Sequence, residues 1–348
     1  MSLVPRALPT CVGLLALLGL SATACNPHPG TPADANAIAY VCTRGYADDP
    51  GTTITAVDLT SGVVLQTVST GTLPDALAAT PDGKEILVVD QGVDQVNELS
   101  TRANRVLRST TTGLEPDALG VTPDDTRALI ANQGAGTVTP VALPSLRAGT
   151  PITVGQAPDA VGIGGPGGHT ALVANFAEGT LTPINLEDDT PGSAIPAGPE
   201  PDAIAVSPDG NVAVVANLGN DTLTTINLDT LSEGPSLPLG VDPTGVEFAP
   251  EQPGTSGAPL VAWVSGGDAL VQVTVLTSGP GAAPVATLRS SITLPSLAES
   301  VALTPNGTTA WVAGQDGWLR AVNLPSGTPG KRVKIGGKPS AVVIPPRG

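Results

Sequence analysis

Aromatic side chains are almost missing from this sequence: two Phe, two Tyr and three Trp make up 2% of its 348 residues. Whatever core it builds must be filled with Val, Leu, Ile and Ala. Histidine is scarcer still, with His28 in a Pro-rich segment and His169 in a Gly-rich turn, which argues against a His-based nucleophilic triad. There is no phosphate-binding loop and no Cys pair at zinc spacing. Positive charge is short as well. With Arg6 set aside, 14 basic side chains face 31 acidic ones, a net charge near −17 that opposes nucleic acid or anionic lipid as a partner.

Residues 1–24 have the form of an export signal, with one positive charge at Arg6, an apolar run from Cys11 to Leu20, and Ala22-Thr23-Ala24 before Cys25. That run is too short for a permanent membrane span. Ala22-Thr23-Ala24-Cys25 resembles a lipobox, so Cys25 is the expected lipidation site and the membrane a partner through that lipid. The mature protein is then exported and held at the membrane facing outward; plain secretion is the alternative. Residues 25–36 carry the lipidated Cys and a Pro-rich flexible tether. Cys42, left without a partner by lipidation of Cys25, reads as a small buried hydrophobe; without lipidation a Cys25–Cys42 bridge becomes available.

From residue 37 onward one unit recurs. Pro-Asp-Ala stands at Pro74, Pro116, Pro158 and Pro201, at spacings of 42, 42 and 43 residues, with weaker copies at Pro243, Ala298 and Pro339. Each copy holds four strand-like stretches. In the copy that opens at Pro201, Ala203 and Ala205 alternate with Ile204 and Val206, giving the first strand one thin face for close approach of neighbours. Ser207-Pro208-Asp209-Gly210 is a tight turn, Val212 to Ala216 an apolar strand buried on both faces, and Thr224, Ile226 and Leu228 one side of an alternating third strand. The fourth strand is short and Pro-rich, as at Leu237-Pro238, which suits an outer edge. Little helix is expected.

A period near 42 with four strands per period predicts an all-β fold, a seven-bladed β-propeller over residues 37–348. Residues 37–70 read as a second strand (Ile38 to Thr43), a third (Thr53 to Leu59) and a fourth (Val63 to Ser69) without a first, and 339–345 read as a first strand with nothing after it. Pairing the C-terminal strand with the N-terminal ones closes the ring at seven blades and leaves no inner edge bare. Extra Gly, Pro and Ala at 251–258 and 278–287 are expected as surface loops.

The second and third strands, as in Ala213-Val214-Val215-Ala216-Asn217 leading to Thr222-Leu223-Thr224-Thr225-Ile226-Asn227, resemble the YVTN family of β-propeller repeats, as do Leu172-Val173-Ala174-Asn175 and Tyr40-Val41-Cys42-Thr43. The resemblance spans 37–346 and implies an exported or surface protein. Related seven-bladed propellers include lactonases and NHL-type scaffolds that bind protein or carbohydrate, but no lactonase site motif maps onto this chain.

Equivalent residues of a propeller form rings. Asp75, Asp117, Asp159 and Asp202, with Glu299 in the same place, are expected around one channel mouth, Asp242 two residues short of it. They either tie strands through backbone N–H groups or hold a ligand, with Ca²⁺ or Mg²⁺ the ions that suit such oxygens. Asn132, Asn175 and Asn217, with Asp90 equivalent, end the second strands at the same mouth, as turn caps or ligand contacts. Glu247 replaces the small residue of the thin face, where a carboxylate must reach the channel or find a partner, and is read as a ligand contact, as a metal ligand or general base. Together these predict an anchored, monomeric binding or scaffold protein, with no cofactor required, that recognises a protein, glycan or small polar ligand. A metal-dependent lactonase-type hydrolase and a purely structural envelope protein are the alternatives.

Overall fold

A computed structural model describes residues 37–44, 51–251, 258–279 and 281–346. The export signal, Cys25, the tether and the loop segment 252–257 lie outside them. The described chain forms seven antiparallel sheets of four or five strands. The first combines Lys338–Val343, Ile38–Arg44, Thr53–Asp58 and Val63–Ser69; the second is Pro74–Ala79, Glu85–Asp90, Gln95–Ser100 and Arg105–Thr111. The remaining five open at Pro116, Pro158, Pro201, Pro243 and Ala298. The innermost strands neighbour one another in a closed circle, the C-terminal strand between Ala298–Leu303 and Pro74–Ala79.

Closure works as the repeat requires. Val41 pairs with Val342 and Thr43 with Pro339, so the tail supplies the strand that the head lacks. The paired strand runs from Lys338 to Val343, two residues short of the expected end at 345.

The core lies between blades. Seven buried clusters each join two neighbouring blades, one of them uniting Tyr40, Cys42 and Ile54 with Ile86, Val88 and Leu99. The thin face makes this stacking close: a Cβ added to Gly162 would stand 2.5 Å from Cγ2 of Ile204 in the next blade. Cys42 is a buried free thiol. The turns behave as their sequences dictate, with Gly83, Gly210 and Gly307 at positive φ; Asp125, where one copy lost its Gly, takes φ 60° instead.

The outer strands depart from expectation. Val63–Ser69 is the fourth strand expected for the first blade and three others are two-residue or split pieces, yet Arg105–Thr111, Val285–Thr293 and Thr328–Lys334 run for seven to nine residues where short Pro-rich strands were expected. Residues 285–287, expected in a loop, belong to one of these strands. The loop before it docks on the fifth blade, where Thr225 Oγ1 donates to the Pro284 carbonyl and Asn227 Nδ2 to that of Ala282.

Candidate functional site

A bulge in every blade builds the channel mouth. In the third blade Pro116 pairs with Asn132 but Ala118 pairs with Ala131, so Asp117 is an extra residue with no partner across the ladder. The same slip leaves Asp159, Asp202, Thr244 and Glu299 unpaired, and a longer one includes Asp75. Ser340 stands in the corresponding irregularity of the C-terminal strand. A bulge turns a side chain away from the direction the pleat would give it. Here all seven residues line one cavity of about 720 Å³. Five are acids, four of them in consecutive blades; Asp242 is not among the lining residues.

A second tier comes from residues at, or directly after, the ends of the second strands. Gln91 Nε2 donates to Asp117 at 3.1 Å and Gln133 Nε2 to Asp159 at 2.8 Å, each reaching the following blade. Arg44 repeats that reach, donating from Nη2 to Asp75, and lies 3.8 Å from Asp117 as well. Gln315 donates to Glu299 of its own blade. The fourth and fifth blades place Phe176 and Leu218 here, so the cavity has a polar arc and an apolar one, and among the described residues no such amide lines the cavity from the fourth blade to meet Asp202. In the rest of the ring, Thr244 Oγ1 donates to the Ala298 carbonyl and Ser340 Oγ to that of Asp75, tying adjacent blades.

The carboxyls hold their protons unusually well. Burial pushes Asp75 up to about 8, with the Asp117 carboxylate adding to the effect and Arg44 opposing it. Burial likewise takes Asp117 and Asp202 to about 7 and Asp159 to about 6. Adjacent members of this arc are close enough to share protons, so the four titrate as a coupled set around neutral pH. Among the described residues no group of three or more His, Cys, Asp or Glu side chains is arranged to hold a metal ion.

Asn132, Asn175 and Asn217 do not reach the cavity. Fully buried, they turn into their own blades. Asn175 Oδ1 accepts the Gly155 N–H at 3.0 Å, and its Nδ2 donates to the hydroxyls of Thr180 and Thr182. Asn132 makes the equivalent bonds with Gly113, Thr137 and Thr139. Asn217 keeps the two threonine bonds, but its Oδ1 has no partner because the Gly198 N–H turns to the Gly179 carbonyl. Asp90 takes the same place, accepting from Thr70, Gly71 and Asn97, and burial still raises it to about 6.

Glu247 has the expected register, opposite Trp263 as Ala205 is opposite Val214. Its carboxylate accepts the Leu303 N–H of the next blade at 2.8 Å and is pushed up to about 8 by burial. It joins two inner strands below the mouth and does not line the cavity. Arg44, Gln91, Gln133 and Phe176 were not legible as site residues from the Pro-Asp-Ala repeat. The available signal was positional: Gln91, Gln133 and Phe176 each directly follow the polar residue that ends a second strand, and Arg44 is the last residue of Ile38–Arg44.

No protein-family model and no curated protein sequence matches the chain. Among solved structures it is similar to a functionally unknown protein from Desulfotomaculum acetoxidans, at 15% identity and TM-score 0.76 over 90% of this chain and 100% of that one. A candidate 6-phosphogluconolactonase from Bacteroides fragilis aligns at 16% identity and TM-score 0.71, over 91% and 99%. Hydrazine synthase of Kuenenia stuttgartiensis aligns at 17% and 0.65, over 79% and 90%. At such identities the likeness is one of fold, and the fold is that of a seven-bladed β-propeller.

Proposed function

We propose that this is a binding propeller that takes a small polyhydroxylated ligand, a sugar or sugar derivative, over its acid-lined mouth, and that lipidation of Cys25 holds it outside the cell. The observation that carries this reading is the convergence, in one cavity, of seven bulged residues with Arg44 and the glutamine amides. Carboxyls that titrate near neutrality both donate and accept hydrogen bonds, which suits hydroxyl groups better than a fixed charge does. Phe176 and Leu218 offer the apolar wall that a sugar ring face needs, and the cavity volume falls in the range of about 300–1,000 Å³ typical of small-molecule sites. The likeness to YVTN repeats supports a surface location.

Calorimetric titration of the protein with a panel of mono- and oligosaccharides tests it, with Asp202→Asn and Phe176→Ala as variants. Saturable binding that both variants weaken is expected. No heat from any sugar, or binding indifferent to both changes, would remove this reading and leave the structural envelope role.

A second reading is a lactone hydrolase. It is favoured by the folds named as candidate 6-phosphogluconolactonases and by Asp202, whose proton affinity near 7 is that of a general base. Ca²⁺ or Mg²⁺ would have to be held by ring aspartates, since Glu247 sits apart. Turnover of 6-phosphogluconolactone, dependent on added Mg²⁺ and abolished by Asp202→Asn, would replace the binding reading.

A further inference from the structure

The outer rim of a propeller is a row of open strand edges, and natural sheets blunt such edges by shortness, Pro or charge. Six of the seven blades here do so. Three end in pieces of two residues, two of those blades with Pro in the piece. Arg105–Thr111 carries Arg105 and Arg108, Val285–Thr293 carries Arg289, and Thr328–Lys334 carries Pro329, Lys331, Arg332 and Lys334. The exception is the first blade. Its outer strand, Val63-Val64-Leu65-Gln66-Thr67-Val68-Ser69, has neither charge nor Pro, and every side chain but Val68 is exposed. Val63, Val64 and Leu65 are 54%, 39% and 48% exposed, an apolar run on an edge with nothing over it among the described residues. The bulge at Leu65 does not set it apart, because all four long outer strands have one.

The strand's two neighbours concentrate the positive charge of an otherwise acidic protein. On one side lies Arg105–Thr111, in contact with Val63–Ser69 and preceded by Arg102. On the other, Lys331 reaches the Thr60 carbonyl from Thr328–Lys334. Arg102, Arg105, Arg332 and Lys334 are exposed, and none is in an ion pair among the described residues. So a bare apolar edge is bracketed by basic side chains on both flanks, in a chain of net charge −16.

We propose that this edge is a docking site for an extended, acidic segment of a partner protein, which adds to the first blade as a fifth strand. Open backbone N–H and C=O groups supply the pairing, Val63, Val64 and Leu65 receive alternate apolar side chains, and the flanking cations receive the acidic ones. Seven residues at about 3.3 Å each give a strip of roughly 23 Å. A membrane surface would match the charge but would leave the strand's hydrogen bonds unmade.

The probe is a fluorescent eight-residue peptide alternating Glu and Val, with a Lys and Val peptide as its counterpart, added to the purified full chain. Saturable binding of the acidic peptide, weaker at higher salt, is expected, with amide-exchange protection gained at 63–69. Val64→Glu, and separately Arg105→Glu with Lys334→Glu, should each weaken it about tenfold or more. Leu276→Glu, at an equally exposed apolar residue elsewhere, should leave it unchanged; its side chain is 48% exposed, so folding is not at risk. Equal binding of the basic peptide, no protection at 63–69, or insensitivity to both edge variants overturns the proposal. So does binding to vesicles of anionic lipid that the Arg105 and Lys334 changes abolish while the peptide fails to bind. A dimer in sedimentation that Val64→Glu dissolves would overturn it in favour of a second copy of this chain.

Discussion

The ring of acids and the ring of amides start from adjacent places in the same ladder, yet one faces an open cavity and the other is sealed inside the blades. Pro116 is opposite Asn132, and Asp117 follows Pro116 by a single residue. Without the bulge Asp117 would occupy the next ladder position, where Ala118 now sits. The extra residue frees Asp117 to turn into the mouth, whereas Asn132 stays in register and bonds to its own hairpin and entry loop. Equivalent positions in a closed repeat are certain to form a ring; whether that ring holds the fold together or meets a ligand depends on local backbone geometry.

The sharpest way to break the contrast is to remove one member of each ring. Asn175→Ala strands the buried Thr182 hydroxyl and the half-buried Gly155 N–H and Thr180 hydroxyl, and should cost about 2–3 kcal/mol in denaturant unfolding. Asn217→Ala should cost less, because Asn217 Oδ1 has no donor to lose. Asp117→Asn, by contrast, removes a carboxylate that burial disfavours and should stabilise the protein at alkaline pH, on the order of 1 kcal/mol. Equal losses from all three would erase the distinction.

A pH series sharpens the same comparison with a smaller effect. Asp75, Asp117, Asp159 and Asp202 bind protons more tightly folded, at about 6 to 8, than unfolded, near 3.9. The folded chain therefore holds the extra protons between those limits, so the stability these groups contribute is full below about pH 4 and is lost as pH rises from there through 6 to 8. Melting temperature should fall from pH 5.5 to 8.5, and the combined Asp75→Asn, Asp117→Asn and Asp202→Asn variant should flatten that slope. Glu247, raised to about 8, contributes with the same sign, and Glu247→Gln should remove a further part of it.

The smallest effect concerns Arg44, whose side chain is 51% exposed. Arg44→Ala should leave the melting temperature at pH 5.5 nearly unchanged and push the carboxyl titration, followed by NMR, still higher. A downward shift would mean that the arc is not organised by its one cation.

Much of this was written in the period. The Pro-Asp-Ala copies gave blade number and the closing strand, because a strand with one thin face is useful only beside a neighbouring copy. They also put Asp75, Asp117, Asp159, Asp202 and Glu299 on one ring. The bulge was not legible, since an unpaired residue is defined by its partner strand; nor was the inward turn of Asn132, Asn175 and Asn217. Glu247 stood out as a charge on a thin face, but only the neighbouring blade shows that the Leu303 N–H receives it. Val63–Ser69 was legible as an outer strand, but the long ones of the second, sixth and seventh blades were not, because the best repeat, at residues 201–239, is one of those that end in a short Pro-containing piece.

Sequence alone determined the number of blades, the small and large faces of their inner strands, and which residues are equivalent, for each follows from spacing along one chain. Tertiary structure decided which of those residues meet solvent in a shared cavity, how Arg44 comes to lie against Asp75, and which outer edge is left bare. Those outcomes depend on the distance between chain segments far apart in sequence, and proton affinity, hydrogen bonding and exposure all follow from that distance.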